Sequence, residues 1–186
     1  MIDSVTATDQ YLGAFFAANL TAPTDWASLF HAPLRCTVPR TGTSVACEPM
    51  WSSPADRDVR FDYPTFSPLV KMQPYSYFYA VAAQSQASKM FDRIIKVSAL
   101  KRAIVADYTA PNTYFTEPSY VAAAAPTQED DGYLLSVMYD AGADASALGV
   151  FSAATLELLA KYDLQQVIPF HAHGVSCRGT RCFTNP

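Results

Sequence analysis

Histidines and cysteines at one end of this 186-residue chain have a spacing that could bind a metal ion. His171 and His173 are two residues apart, and in an extended strand residues i and i+2 share a face, so both rings could bind one cation. With Cys177 and Cys182 they form an H-x-H-x3-C-x4-C array of four potential zinc ligands, although its spacing is not one of the usual zinc arrangements. Alternatively, the array is incidental and belongs to a surface tail.

Two carboxylates offer a second kind of chemistry. Asp62 and Glu117 both lie among aromatic residues at the end or beginning of a predicted strand. A buried charge without a partner is costly, so a carboxylate in such a place requires a hydrogen-bond donor. An imidazole N–H would be a suitable donor, which makes Glu117 a candidate to orient a metal-bound histidine. Alternatively, both carboxylates point to solvent at the strand ends.

Other function classes are disfavoured by composition. The sequence has no GxSxG, no GxGxxG and no phosphate-binding loop. Its 13 basic and 17 acidic residues give a net charge of -4, which argues against a nucleic-acid partner. It contains no apolar stretch of about 20 residues and no convincing secretory signal. Localisation stays open between the cytoplasm, a plastid and a membrane surface.

The four cysteines fall into two pairs, Cys36 with Cys47 and Cys177 with Cys182. They could form two disulfides in an oxidising compartment or remain free thiols in a reducing one. Because no signal peptide is evident, the sequence favours free thiols.

The elements that must position these residues are predicted to be strands. Aromatic residues make up 13% of the chain, and short apolar runs alternate with turns, which is typical of a sandwich, a barrel or propeller blades. Alternation places Tyr75, Tyr77 and Tyr79 on one face of a strand. The predicted strands are residues 33–38 and 44–47 as a hairpin, then 60–63, 75–83, 94–99, 103–108, 120–125, 133–139, 149–152 and 158–164.

Six segments resemble, in order and spacing, the motifs of the carotenoid cleavage oxygenase family, to which retinal pigment epithelial membrane protein belongs. They are DYP at 62–64, QPYSYFYA at 73–80, TEPSYV at 116–121, EDDGYLLSV at 129–137, ATLE at 154–157, and IP at 168–169 followed by HG at 173–174. The resemblance covers residues 33–175. Residues 1–32 are predicted to be an irregular or weakly helical lead-in, and residues 176–186 a tail.

The resemblance implies a seven-bladed β-propeller that holds Fe(II) on its axis with four histidines. Enzymes of this family use dioxygen to split a carbon–carbon double bond of a carotenoid, an apocarotenoid or a stilbene, and relatives isomerise retinyl esters. The implied partners are a hydrophobic polyene and dioxygen, with a peripheral membrane contact left open. His173 would be the last iron ligand, and Glu117 would hydrogen-bond a ligand imidazole. Asp62 stands where the family has a second such glutamate, and its side chain is one methylene shorter.

The family's three upstream ligands have no counterpart here, since His31 lies in no ligand motif and His171 has no place in the pattern. At about 40–45 residues per blade, the chain would make roughly four blades. We therefore expect an all-β partial propeller, made of the C-terminal blades of an iron(II) dioxygenase, that alone binds iron weakly and cleaves no carotenoid. The alternative is a catalytically inactive β-rich module that binds isoprenoids or other lipids without a complete metal site.

Overall fold

The computed structural model describes residues 2–4, 33–39, 44–57, 59–83, 88, 90–170, 174–178 and 181–184. Apart from a 3₁₀ turn at Pro68–Val70, the regular elements of this part of the chain are all strands. None of its helices is long and apolar enough to cross a membrane. The strands are β1 (Ile2–Ser4), β2 (Leu34–Thr37), β3 (Ala46–Pro49), β4 (Phe61–Thr65), β5 (Tyr77–Ala82), β6 (Arg93–Ser98), β7 (Ala103–Thr109), β8 (Thr113–Phe115), β9 (Ser119–Ala122), β10 (Gly132–Asp140), β11 (Ala145–Ser152), β12 (Leu158–Asp163), β13 (Val175–Arg178) and β14 (Arg181–Thr184).

The strands form three antiparallel sheets that follow one another along the chain. The first sheet has the order β1-β2-β3 and the second has the order β4-β5-β6-β7. The third has the order β12-β11-β10, and both β8 and β9 pair with the other edge of β10. A separate hairpin joins β13 to β14, with β13 beside β9. Successive antiparallel sheets of this size are the blades of a β-propeller, which confirms the predicted all-β partial propeller.

The two inner strands of the second sheet, β5 and β6, are buried on both faces. On β5, Tyr79 and Val81 pack towards the third sheet, whereas Phe78, Ala80 and Ala82 pack towards the segment that follows β3. A sheet covered on both sides needs apolar residues at consecutive positions, which explains the run of them in β5. Burial of each large side chain contributes about 1.5–3 kcal/mol. The two cores also include Ile94, Phe115, Leu134, Met138 and Phe151 on one side, and Met50, Trp51, Phe61, Ile95 and Val97 on the other.

One charged side chain lies within the packing of the second sheet against the third. Lys96 is only 4% exposed. Its Nζ donates to Asp130 Oδ2 and to the carbonyl oxygen of Ala154, both at 2.7 Å. The same ammonium group lies 4.2 Å from the centre of the Tyr77 ring. Since both acceptors belong to loops of the third sheet, Lys96 joins the two sheets through an ion pair and a hydrogen bond.

Two buried tyrosines at the contact between these sheets donate neutral hydrogen bonds, Tyr79 across to the third sheet and Tyr120 within it. The Tyr79 hydroxyl donates to the carbonyl oxygen of Ala153 at 2.9 Å, and the Tyr120 hydroxyl donates to that of Glu129 at 2.9 Å. Burial raises the pKa of both phenols above the ordinary value of 10.0. Both hydroxyls therefore stay protonated and keep their donor role at neutral pH.

Arginine side chains join the first sheet to the second. On β2, Arg35 donates from Nη1 to the carbonyl oxygen of Ala99 at 2.6 Å. In the turn after β6, Arg102 donates from Nε to the carbonyl oxygen of Met50 at 3.1 Å and pairs with Glu48 at 3.0 Å. The turn between β6 and β7 is thus bound to the segments around β3.

Most of the predicted strands are present, and the pairing of β2 with β3 confirms the first hairpin. The short strands β1, β8, β13 and β14 were not predicted. In the expected lead-in, residues 2–4 form β1, which pairs with β2, and the remainder lies outside the described residues. The placement of Tyr75 with Tyr77 and Tyr79 was wrong. Because β5 begins only at Tyr77, Tyr75 joins the other core and stacks on Phe66 at 6.0 Å.

The expectation of free thiols was also wrong for one pair, since Cys36 and Cys47 form a disulfide. The two residues are direct partners across β2 and β3, and their Cα atoms are 4.1 Å apart. Opposite residues of antiparallel strands lie about 4.5–5.5 Å apart, close enough for their sulfur atoms to bond. The expectation relied on the lack of a signal peptide and took no account of the register.

We expect Lys96→Met to lower the free energy of unfolding by about 2–4 kcal/mol, because the Asp130 carboxylate loses its cation in a partly buried place. The double variant Lys96→Met with Asp130→Asn should lose less than the sum of the two single variants, because it leaves no unpaired charge. Urea unfolding followed by circular dichroism measures these differences. Lys161→Met, on the exposed side of β12, is the control and should change stability by less than about 0.5 kcal/mol. Strictly additive losses would contradict a coupled ion pair.

Candidate functional site

The two predicted carboxylates lie at corresponding places in successive sheets. Asp62 is on β4, the edge strand of the second sheet. Glu117 lies between β8 and β9, which together form the edge of the third sheet beside β10. In each sheet this edge is formed by the residues that come first in the sequence, and the strand pairing along it is interrupted at the carboxylate. Both side chains are half-buried.

The interruption at Asp62 is a local bend in β4. Asp62 pairs with Val81, but the register shifts before Thr65 resumes the pairing with β5. Tyr63 has φ 52°, a left-handed conformation that costs an aromatic residue roughly 1 kcal/mol or more. Asp62 Oδ1 accepts a hydrogen bond from the Tyr63 backbone N–H at 2.8 Å. The Asp62 carboxylate therefore stabilises the bend in β4 through this hydrogen bond.

The interruption at Glu117 is held by the residue before it. Thr116 is buried, and its hydroxyl accepts a hydrogen bond from the backbone N–H of Val137 at 3.2 Å. Its own N–H donates to the carbonyl oxygen of Val137 at 3.0 Å, and its carbonyl oxygen accepts from the Ser136 hydroxyl at 2.8 Å. Thr116 therefore provides the acceptor for the Val137 N–H of β10 at the point where the edge of the sheet is interrupted.

Phe91 connects the two interrupted edges. Its ring meets the Tyr63 ring edge to face at 5.9 Å, next to Asp62. Its carbonyl oxygen accepts a hydrogen bond from the Phe115 backbone N–H at 2.8 Å, two residues before Glu117. No local sequence pattern marks Phe91, because its role depends on packing between sheets.

The three histidines, His31, His171 and His173, lie outside the described residues. The structure does describe the chain on either side of the last two. Before them, the backbone N–H of Ile168 donates to the buried Ser146 hydroxyl at 3.0 Å. After them, a Cβ on Gly174 would lie 3.5 Å from Ser119 Oγ, two residues beyond Glu117. In the part of the chain described here, no three His, Cys, Asp or Glu side chains are grouped so that they could hold a metal ion.

The acidic segment at 129–131 has a different role from the two carboxylates above. Glu129 accepts hydrogen bonds from the backbone N–H groups of Ser76 and Tyr77, at 2.7 and 2.8 Å. Asp130 pairs with Lys96. Two of the three acidic side chains therefore join the third sheet to the second and are engaged in structural contacts.

Asp131 and Gly132 complete this segment within the third sheet. Asp131 accepts hydrogen bonds from the Thr127 and Gln128 backbone N–H groups and from the Thr127 hydroxyl, and these bonds lower the pKa of its carboxyl group. A Cβ on Gly132 would lie 2.5 Å from Tyr120 Oη and 2.6 Å from the carbonyl oxygen of Val121. Only glycine fits against Tyr120 at this position.

A polar cavity of about 280 Å³ adjoins the contact between the second and third sheets at Lys96 and Asp130. It is lined by Lys96 and Asp130, which pair with each other, and by Tyr77, Ser98 and Lys101. No sequence motif predicts this cavity. Among the described residues that line the cavity there is no histidine. The cavity lies at the Asp130 end of β10, whereas Thr116, next to Glu117, bonds to Ser136 and Val137 further along that strand.

Residues 1–175 match the family described as retinal pigment epithelial membrane protein, and the chain belongs to this family. The family assignment made from the six motifs is thereby confirmed. The chain is 30% identical over 116 residues to apocarotenoid-15,15'-oxygenase of Synechocystis sp., covering 61% of this chain and 24% of that protein. It is 38% identical over 93 residues to carotenoid isomerooxygenase of Galleria mellonella, covering 48% and 18% respectively. The chain therefore spans a quarter or less of the curated relatives it matches.

Solved structures of the same family share the fold. A variant of Synechocystis apocarotenoid oxygenase with one glutamate changed to glutamine superposes with a TM-score of 0.75 at 23% identity, covering 91% of this chain and 35% of that one. The cobalt-substituted form of the oxygenase superposes with a TM-score of 0.70 at 24% identity, covering 81% and 31%. At this identity the likeness supports the propeller fold.

We expect Thr116→Val to destabilise the protein by about 1–3 kcal/mol, because the nearly isosteric side chain leaves the Val137 N–H without an acceptor. Chemical denaturation measures the loss, and amide hydrogen exchange at Val137 should become faster in the variant. Thr155→Val, in an exposed turn, is the matched control. Unchanged exchange at Val137 would show that Thr116 does not hold this interruption.

Gly132→Ala should cost about 1–3 kcal/mol, because the added methyl group collides with the Tyr120 ring and the backbone of Val121. Gly142→Ala is the control, since its Cβ would meet only side-chain atoms of Asp140 and Asn112, at 3.3 and 3.6 Å. Thermal unfolding compares the two variants. Equal stability of both would contradict the close packing inferred at Gly132.

Proposed function

We propose that this chain contributes blades to a non-haem iron(II) dioxygenase that cleaves a carbon–carbon double bond of a carotenoid, an apocarotenoid or a related polyene. Membership of the family supports the reaction class. The observation that carries the proposal is the position of Glu117, which is half-buried at an interrupted sheet edge. Ser119, two residues further on, lies beside Gly174, the residue that follows His173 in the sequence. A hydrophobic polyene and dioxygen are the proposed substrates, and a peripheral membrane contact of the intact protein remains part of the proposal.

Within this site we assign His173 as an iron ligand and Glu117 as the acceptor of an imidazole N–H. Gly174 lies beside Ser119, which is two residues beyond Glu117. His173 directly precedes Gly174 in the sequence, which supports its assignment as the partner of Glu117. A carboxylate that accepts one imidazole N–H fixes the tautomer and orientation of the ring, so that the other nitrogen is free to bind metal. Asp62, at the equivalent interruption of the second sheet, is assigned the same role with a shorter reach.

Iron(II), when bound, would supply the centre at which dioxygen reacts with the polyene. The residues of this chain do not complete such a centre. The sequence has three histidines, and only His173 lies in a ligand motif. One imidazole gives neither the affinity nor the geometry of a four-histidine site. A four-histidine site would need further histidine ligands in addition to those that this sequence supplies.

We expect the chain alone, reconstituted with Fe(II) without oxygen and then desalted, to retain less than about 0.1 iron per chain, because a single imidazole binds iron weakly. It should yield no aldehyde from an apocarotenoid when air is admitted. Metal analysis and product chromatography measure both quantities, with intact Synechocystis apocarotenoid oxygenase as the positive control. Stoichiometric iron with turnover would contradict the proposal. Lipid binding without iron would instead favour the non-catalytic module.

The residue roles require the other ligands to be present. We therefore propose replacing the matching C-terminal part of apocarotenoid oxygenase with this chain and measuring iron affinity in the graft. His173→Ala should abolish stoichiometric iron, and Glu117→Gln should weaken iron binding about 10–100-fold, because the imidazole loses its charged acceptor. His171→Ala is the matched control and should retain iron. Loss of iron in His171→Ala but not in His173→Ala would reverse the assignment.

A further inference from the structure

Two hairpins of this chain carry cysteines in the same arrangement. In the first sheet, Cys36 on β2 is the direct partner of Cys47 on β3, and the two form a disulfide. In the last hairpin, Cys177 on β13 is the direct partner of Cys182 on β14. We propose that Cys177 and Cys182 form a second cross-strand disulfide when the protein matures in an oxidising compartment.

The backbone register carries this inference. Residues directly opposite in an antiparallel pair have Cα atoms about 4.5–5.5 Å apart, which lies within the range that a disulfide spans. Cys36 and Cys47 show that such a placement leads to a bond in this chain. On oxidation the two thiols lose two protons and two electrons as the S–S bond forms. The electrons pass to a small-molecule disulfide such as oxidised glutathione, which is reduced to two thiols.

The bond would fasten the hairpin that follows His173. β13 begins directly after Gly174, lies beside β9 and so adjoins the sheet edge interrupted at Glu117. A two-stranded hairpin is marginally stable on its own, so a covalent link between its strands would keep it formed. This inference does not depend on iron binding, and its test uses no activity measurement.

The second disulfide is incompatible with the zinc array considered from the sequence. A zinc ligand must be a thiolate, and a sulfur in a disulfide is not one. Two disulfides in one domain are typical of proteins that fold in secretory or periplasmic compartments and are rare in a reducing cytosol. The register of β13 and β14 therefore bears on localisation, which the composition left open.

Peptide mapping without reductant tests the bond directly. The full chain, produced in a bacterial periplasm, is alkylated with iodoacetamide under denaturing conditions and digested with trypsin. Cleavage after Lys161, Arg178 and Arg181 should yield peptide 162–178 linked to peptide 182–186, and the link should disappear on reduction. Peptide 36–40 linked to peptide 41–57 is the internal control, because the structure contains that bond.

Alkylated 162–178 and 182–186 from the periplasmic protein would overturn the proposal, and so would links between the two hairpins. Stoichiometric zinc that is lost on Cys182→Ser would also overturn it. In a Cys36→Ser/Cys47→Ser background, reductant should lower Tm by about 3–8 °C through the second bond. Further substitution of Cys177→Ser should remove this shift. An equal shift in both backgrounds would show that reductant acts elsewhere.

Discussion

The burial of the second sheet on both faces is the constraint on which the rest of the structure depends. Its inner strands, β5 and β6, are covered on both faces, so a polar group buried there needs a hydrogen-bond partner in a neighbouring segment. Lys96 meets this requirement with Asp130 and a carbonyl oxygen of the third sheet. Arg35 and Arg102 form the corresponding hydrogen bonds between the second sheet and the first sheet with the segment that follows it. The sheets are therefore joined by directional bonds as well as by apolar packing.

The same constraint explains how the candidate site is built. The interrupted edges at Asp62 and Glu117 each break the regular ladder of a strand, and each break leaves backbone groups to be satisfied locally. The Asp62 carboxylate accepts the N–H that follows it, and the Thr116 hydroxyl accepts an N–H of β10. Phe91 then fixes one interruption relative to the other through its ring and its carbonyl oxygen. Half-buried carboxylates held in this way are suited to orient a neighbouring donor group.

Sequence patterns predicted the long strands well because alternation and apolar runs are local signals. They did not predict β8, since three residues before Glu117 and Pro118 carry no periodicity. The placement of Tyr75 failed because alternation does not show where a strand begins. The Cys36–Cys47 bond and the burial of Lys96 depend on register and on packing between sheets, which a single sequence does not contain. Asp62 and Glu117 were identified by chemical type and by resemblance, whereas their shared position at interrupted edges was visible only in the structure.

The motifs that identified the family are mainly motifs of its fold. Glu129 and Asp130 bind the neighbouring sheet, and Gly132 is required by the closeness of Tyr120. The turn at 153–157 supplies the carbonyl oxygens that accept from Tyr79 and Lys96. These residues would be needed in any protein that stacks these blades, whether or not it binds iron. A match over these segments therefore supports the propeller more strongly than the reaction. The chemical part of the proposal depends on Glu117, Asp62 and His173, because only these residues are proposed to act on a metal site.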